Sequence, residues 1–280
     1  MDGRVLNLHE LANSRGLSLP NSLEKLITLE SKGTRTLDKL LADLASSEIE
    51  RYSQPTNSVV LNAPLTAPPK IVCLGLNYRD HIAEQKAVAS DEPVIFMKPR
   101  TAIIGPSENI VKPNFVTQLD YEAELAIVMG HRAKNVSVFE ARSHIFGFTI
   151  LNDVSARDIQ FKDRQWTRGK SFDTFAPLGP CIVTADQLPY EYCVPIRTWV
   201  NGELRQNSST KNMVFNVFEI VHHLSRVMTL EPCDLIATGT PGGVGFAMKP
   251  EPKFLQAGDI VRIQIDGIGI LENKVIDESY

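Results

Sequence analysis

The sequence predicts an α+β fold, a β-rich domain preceded by a small helical N-terminal one, and three features carry that expectation. Asn201-Gly202 and Asp266-Gly267, dipeptides typical of tight hairpins, each stand between segments of strand character. One amphipathic stretch, with Val217, Ile220, Val221, Leu224 and Val227 at helical spacing, is set among those strands. Hairpins without repeated strand–helix–strand units favour a mostly antiparallel or mixed sheet over a doubly wound one.

Taken in order, the first fifty residues have helical character. Asn21 and Glu24 form an N-cap and N3 pair ahead of Leu26 and Ile27. Leu37, Leu40, Leu41 and Leu44 recur at helical spacing, a stripe that must pack on something larger. Ser53 to Pro69 then runs 17 residues without a charge and includes Pro55, Pro64, Pro68 and Pro69. Clustered prolines suppress helix and leave an extended, semi-rigid connector. The predicted division is therefore 1–65, accessory domain and connector, and 66–280, the main domain. Strands are expected at Lys70–Leu76, Val94–Met97, Glu122–Met129, Ile145–Leu151, Arg197–Val200, Glu203–Gln206, Ile260–Ile265 and Ile268–Val275.

Composition narrows the function. With 280 residues, 43% hydrophobic and 22% charged, the chain can bury a full core without disulfides or structural metal. A net charge of −4 without a Lys/Arg block makes nucleic acid and anionic membrane poor partners. Uncharged runs such as Leu235 to Met248 are broken by Gly and Pro and fall short of a membrane span. The N-terminus lacks the apolar stretch of a secretory signal. Cys73, Cys181, Cys193 and Cys233 form no C-x-x-C pair, so reduced, buried thiols in a cytoplasmic protein are expected. Gly169-Lys170-Ser171 fails as a phosphate loop because Arg164 replaces the required Gly, and Gly243-Val244-Gly245 fails as a dinucleotide fingerprint at Met248. Neither a G-x-S-x-G nor an H-E-x-x-H motif occurs.

Asp120-Tyr121-Glu122-Ala123-Glu124-Leu125-Ala126-Ile127-Val128 is the most informative stretch. Period-two alternation would place Asp120, Glu122 and Glu124 on one face and Tyr121, Ala123, Leu125 and Ile127 on the other. Three carboxylates on one face repel one another, and burial sharpens the conflict, so solvent, protons, basic partners or a metal must offset it. Phe146 to Leu151 delivers a further carboxylate, Asp153, ahead of a helix start at Ser155-Ala156-Arg157-Asp158. Oxygen-only ligands suit Mg²⁺ or Mn²⁺ before Zn²⁺. An edge strand with a charged outer face gives the same alternation.

Tyr121-Glu122-Ala123-Glu124-Leu125, Asn152-Asp153-Val154-Ser155-Ala156-Arg157-Asp158 and the run from Gly169 to Pro180 together resemble the fumarylacetoacetate hydrolase family. Val200-Asn201-Gly202-Glu203 and the run from Thr238 to Gly245 do so too, in the same order, over roughly residues 70 to 275. The chain is most similar to the family's domain-containing branch. That resemblance implies a mixed β-roll catalytic domain, a homodimer, and a Mg²⁺ or Mn²⁺ site at Glu122, Glu124 and Asp153.

Other candidates gain a role from the same resemblance. His81 and Glu84 stand three apart on one helical face, where a carboxylate can fix an imidazole tautomer and raise its basicity. An incidental pair on an exposed helix is the alternative; the resemblance implies a base on a lid segment. Lys170 could face a developing enolate oxygen. Arg157 and Gln160, three apart, would face the substrate. Gly239 and Thr240 lie in a turn whose amides could hold a carboxylate, and the resemblance gives Thr240 to that group. The implied activity is metal-dependent hydrolysis of a C–C bond in 2,4-dioxo acids such as acylpyruvates or fumarylpyruvate. Oxaloacetate decarboxylation and keto–enol tautomerisation or isomerisation are the alternatives, and a non-catalytic binding protein is a further one. The expected partner is a small dicarbonyl or 2-oxo acid.

Overall fold

A computed structural model of the chain describes residues 3–29, 31–162, 165–189 and 191–279. It divides into two compact units, Met1–Leu61 and Asn62–Tyr280.

In the first unit, strand β1 (Arg4–Leu6) pairs antiparallel with β2 (Ser53–Pro55), and helices α1 (Leu8–Ser14), α2 (Leu23–Thr28), α3 (Ser31–Ala42) and α4 (Ser46–Tyr52) lie between them in sequence. Leu11, Ala12, Leu19, Leu26 and Leu40 form its core, with Leu37 and Leu44 packed against it. Leu41 is exposed, so the leucine stripe is narrower than its spacing suggests. Helix α2 begins one residue later than expected: Ser22, not Asn21, is the N-cap and accepts the Lys25 N–H at 3.2 Å. The uncharged proline segment is likewise not all connector, because Ser53–Pro55 is paired and Thr56 N–H donates to Gly3 O at 2.9 Å. Every predicted site residue lies in the second unit. A chain beginning at Asn62 is therefore expected to bind divalent cations as the full chain does; loss of binding in a folded fragment would contradict this.

The second unit is strand-rich and α+β. Its strands are β3 (Ile71–Gly75), β4 (Val94–Lys98), β5 (Ile103–Ile104), β6 (Ile110–Lys112), β7 (Leu119–Asp120), β8 (Ala123–Met129), β9 (Ile145–Asn152) and β10 (Ser155–Ala156). They continue as β11 (Ala176–Thr184), β12 (Pro195–Val200), β13 (Glu203–Ser209), β14 (Leu235–Ala237), β15 (Ile260–Ile265) and β16 (Gly269–Asp277). Seven form one mixed sheet in the order β4-β3-β14-β8-β9-β11-β5, parallel at β3/β14 and β11/β5. Five form a second in the order β13-β12-β15-β16-β6, and β7 and β10 form a two-stranded pair.

Both hairpins form. Asn201 and Gly202 have φ of 52° and 80°, as a two-residue primed turn requires. The second is a three-residue loop: Ile265 pairs with Gly269, leaving Asp266, Gly267 and Ile268 between. The amphipathic helix is α8 (Val217–Val227), whose Asn216 N-cap and Glu219 form a capping box and whose Val217, Ile220, Val221 and Leu224 are buried.

The edge-strand reading of the acidic segment fails, because β8 lies in mid-sheet between β14 and β9 and all seven of its residues are buried. Tyr121, Ala123, Leu125, Ile127 and Met129 join the main core. Side chains the size of Leu125 and Ile127 each contribute roughly 1.5–3 kcal/mol when removed from water. Cys73 and Cys233 are buried, but Cys181 and Cys193 are exposed, which corrects the expectation that all four are buried. No helix among the described residues is long and apolar enough to cross a membrane.

Candidate active site

The sheet brings three carboxylates together. Glu122 precedes β8, Glu124 is within it, and Asp153 follows β9, with Asp153 N–H donating to Glu122 O at 2.9 Å. Oxygens of Glu122, Glu124 and Asp153 lie within 4.8 Å of one another, and all three residues are buried. Asp120 is not among them. The strand is interrupted at Tyr121-Glu122, but Tyr121 still joins Ala123, Leu125 and Ile127 in the core and Arg157 bridges Asp120 and Glu122, so the predicted faces hold while the carboxylate cluster excludes Asp120. Asp120 instead accepts the N–H groups of Gly245 and Phe246 at 2.8 and 3.1 Å and the Arg157 Nε–H at 2.9 Å.

Buried cations interleave with these acids. Lys170 Nζ donates to Glu122 Oε2 at 2.7 Å and Asp153 Oδ2 at 2.6 Å. Lys98 Nζ donates to Asp153 Oδ1 at 2.6 Å. Arg157 Nη1 meets Glu122 Oε1 at 2.6 Å and donates to Gln160 Oε1 at 2.9 Å. Lys170 reaches its place because helix α7 (Thr167–Lys170) sits hard against α6 (Arg157–Gln160) through Gly169, where a Cβ would meet Gln160 backbone at 2.7 Å. The expected helix start at Ser155 lies two residues early, since Ser155–Ala156 is the strand β10.

Electrostatics sets each protonation state. Burial opposes ionisation of Glu122, but the charges of Lys170 and Arg157 overcome it and hold its carboxyl down at about 2. Burial likewise opposes the charge on Lys170, yet Asp153 and Glu122 raise its ammonium above the ordinary lysine value. Glu124 goes the other way: burial, then the negative charges of Asp153 and Glu122, push it well above the usual carboxylate range. Its Oε2 accepts the Gly239 N–H at 2.8 Å, and its buried Oε1 has no hydrogen-bond partner. Asp120, Glu122, Glu124 and Asp153 are buried together with Lys98, Arg157 and Lys170. An oxygen-only donor set and a buried oxygen without a partner among the described residues fit a hard divalent cation at Glu122, Glu124 and Asp153. Because burial and the negative charges of Asp153 and Glu122 disfavour the ionised form of Glu124 without the ion, Mg²⁺ binding is expected to be accompanied by proton release. Calorimetry in buffers of different ionisation enthalpy checks this, and Glu124→Ala should abolish both the binding and the release; unchanged affinity in the folded variant would remove Glu124 from the ligand set.

Beside the carboxylates lies a cavity. Six of the sequence candidates line it, namely His81, Glu122, Arg157, Gln160, Lys170 and Thr240, together with Phe96, Phe161, Trp166 and Phe246. Glu84, Glu124, Asp153 and Gly239 stand behind them. His81 and Glu84 lie on helix α5 (Arg79–Gln85), with Nδ1 at 2.6 Å from Glu84 Oε1. Glu84 Oε2 accepts the Gly243 N–H at 2.8 Å, which ties the helix to the glycine-rich turn. His81 is only 5% exposed, so this is no incidental surface pair. Gly239 departs from its expected role: its amide holds Glu124 rather than offering itself to a substrate. Thr240 Oγ1 accepts from Gln206 Nε2 at 2.8 Å, which leaves the hydroxyl hydrogen for an acceptor in the cavity. Arg157 stacks 4.5 Å from the Phe246 ring centroid, and its buried Nη2 has no hydrogen-bond partner among the described residues.

Sequence reasoning missed Lys98 and Gln85. Lys98 closes an apolar strand as an apparently ordinary lysine, and no local pattern announces that Asp153, 55 positions on, is its partner. Gln85 did carry a signal, four positions after His81 and so on the same helical face.

The chain is similar to known proteins. The family profile described as Fumarylacetoacetate (FAA) hydrolase C-terminal matches residues 70–276. The mitochondrial oxaloacetate tautomerase of Xenopus laevis is 40% identical over 276 residues, 98% of this chain and 83% of that protein. The fumarylacetoacetate hydrolase of Exiguobacterium antarcticum superposes with a TM-score of 0.84 at 39% identity, covering 99% of this chain and 94% of that one. The 5-carboxymethyl-2-hydroxymuconate delta-isomerase of Mycobacterium smegmatis gives 0.72 at 46% identity, covering 81% and 83%.

Proposed function

The chain belongs to the fumarylacetoacetate hydrolase family, on its domain-containing branch, and from that premise we propose that it interconverts the enol and keto forms of a small 2-oxo dicarboxylic acid of the oxaloacetate class. One observation carries the reading. Of the titratable groups lining the cavity, Glu122 is held ionised, and Lys170 and Arg157 are held protonated. His81, the imidazole among the described lining residues, with its Nδ1 on Glu84, is placed to take and return a proton, the ordinary task of that side chain. Tautomerisation needs one such carrier and no water. The tautomerase and isomerase names of relatives support the same order of preference, which places hydrolysis second.

A divalent cation at Glu122, Glu124 and Asp153 would supply Lewis-acid polarisation of the 2-oxo group. The chain's own residues do the rest. Glu84 keeps the His81 proton on Nδ1, so the Nε2 lone pair takes the proton from the carbon next to the carbonyl and returns it to oxygen. Lys170 places positive charge where the oxygen becomes negative. The vacant Arg157 Nη2–H and the Thr240 hydroxyl are donors for a substrate carboxylate, and Gln160 keeps the guanidinium in plane. Phe161 and Phe246, in edge contact at 5.4 Å, shield the site from water.

Hydrolysis of acylpyruvates is the second reading, and the apolar flank of Phe96 and Trp166 favours it by offering room for an acyl group. The experiment incubates the Mg²⁺-loaded protein with oxaloacetate and with acylpyruvates, and scores enol, pyruvate and CO₂ separately. Faster equilibration of the oxaloacetate enol than in buffer, without pyruvate, is expected. Stoichiometric pyruvate from acylpyruvates at a higher kcat/KM would establish hydrolysis instead. Turnover of neither would favour a binding protein.

A further inference from the structure

Helix α5 holds both ring nitrogens of His81. Glu84, three residues on, takes Nδ1, and Gln85, four residues on, places its Nε2 at 2.5 Å from His81 Nε2. Both spacings fall on the same helical face, one turn beyond the histidine. The helix ends there, with Lys86 in the left-handed region at φ 53°, which makes Gln85 its last residue.

The chemistry of the ring decides what this contact is. A carboxylate only accepts, so Nδ1 carries the proton that meets Glu84. A neutral imidazole has a single N–H, and Nε2 is then a bare lone pair. The Gln85 amide must present its NH₂ to that lone pair, because its oxygen would repel it. We propose that Gln85 is a positioning residue for the proton carrier: its amide N–H holds the neutral Nδ1–H tautomer of His81, with Nε2 aimed into the cavity, and it releases Nε2 when substrate enters. The proposal rests on His81 as the proton carrier and adds a group that the sequence candidates did not include.

The sign of the effect follows. The N–H···N bond exists only while Nε2 is unprotonated, so its loss should ease protonation of the ring. On the same helix Glu84 meets the ring at Nδ1, while Asp80 accepts the His81 backbone N–H at 2.9 Å. Across the cavity stand Glu122, Arg157 and Lys170, and the neutral Phe246 ring lies 6.5 Å away, edge-on. None of these changes when Gln85 is replaced, so the difference between variants isolates the amide.

The test is nitrogen-15 NMR of the full-length, Mg²⁺-loaded protein labelled at histidine, with His81 assigned by comparison with His81→Ala. In Gln85→Met, which keeps the side-chain length, the His81 titration midpoint should rise by about half to one pH unit, the equivalent of one neutral hydrogen bond. The Nε2 resonance should lose its hydrogen-bonded shift. Gln85→Glu should raise the midpoint further, because a carboxylate beside Nε2 favours the protonated ring. The acid limb of kcat/KM should move with the midpoint, and Mg²⁺ affinity should not change. An unchanged midpoint and Nε2 shift in folded Gln85→Met would overturn the proposal, whatever reaction the protein catalyses. A shifted midpoint in a protein that does not turn over oxaloacetate would instead leave Gln85 in place and remove the tautomerase assignment.

Discussion

His81→Ala is expected to lower the catalysed rate of enol–keto interconversion by about 10²–10⁴-fold, the usual contribution of a positioned general acid–base. The loss should fall on kcat, since the imidazole is not in the cation's ligand set and no substrate carboxylate depends on it. Mg²⁺ affinity should therefore survive. Glu84→Gln should show a smaller loss, because an amide can still orient Nδ1 but no longer stabilises the charged ring. Rates must be compared at saturating substrate with one metal, so that altered binding is not counted as chemistry. An unimpaired His81→Ala would remove the dyad from the reaction. A parallel loss of Mg²⁺ affinity would make His81 a support of the cation site instead of a proton carrier.

Asp153→Ala is the second large effect, and it is one of stability. Asp153 and Lys98 both have side chains at 0% exposure, and Asp153 also holds Lys170. Lys170 would keep Glu122, but Lys98 would keep only the Val154 carbonyl at 3.2 Å. Removing one member of such a buried pair leaves an uncompensated charge and costs about 3–5 kcal/mol, against about 0–1 for a surface pair. Urea denaturation with EDTA present, so that lost metal is not counted, should show the midpoint falling at nearly constant m. Asp153→Ala combined with Lys98→Met should recover part of the loss, since the stranded ammonium is then gone. A cost below about 1 kcal/mol would mean that water reaches Lys98 and that the pair is not truly buried.

Much of this was legible in the chain because it depends on local spacing. Alternation fixed the strand character of the stretch that became β8, and Asn201-Gly202 fixed a hairpin because both residues tolerate positive φ. The i, i+3 relation of His81 and Glu84 needs only a helix to become a dyad, and the order of motifs from Tyr121 to Gly245 identified the family. What those patterns could not carry was the third dimension. Period-two alternation put Asp120 on the side of Glu122 and Glu124, but only the fold shows that its carboxylate is taken by the Gly245 loop and by Arg157 and so lies outside the carboxylate cluster. Gly239 was expected to receive a substrate, yet only the placement of β14 beside β8 shows that its amide belongs to Glu124. The same holds for charge. A sequence gives the number of acids and bases, whereas the pairing of Lys98 with Asp153 and the lone oxygen of Glu124 follow from which side chains the sheet buries together. Spacing along one element is a property of the chain; the balance of buried charge is a property of the fold, because desolvation and Coulomb terms depend on distances between segments far apart in sequence.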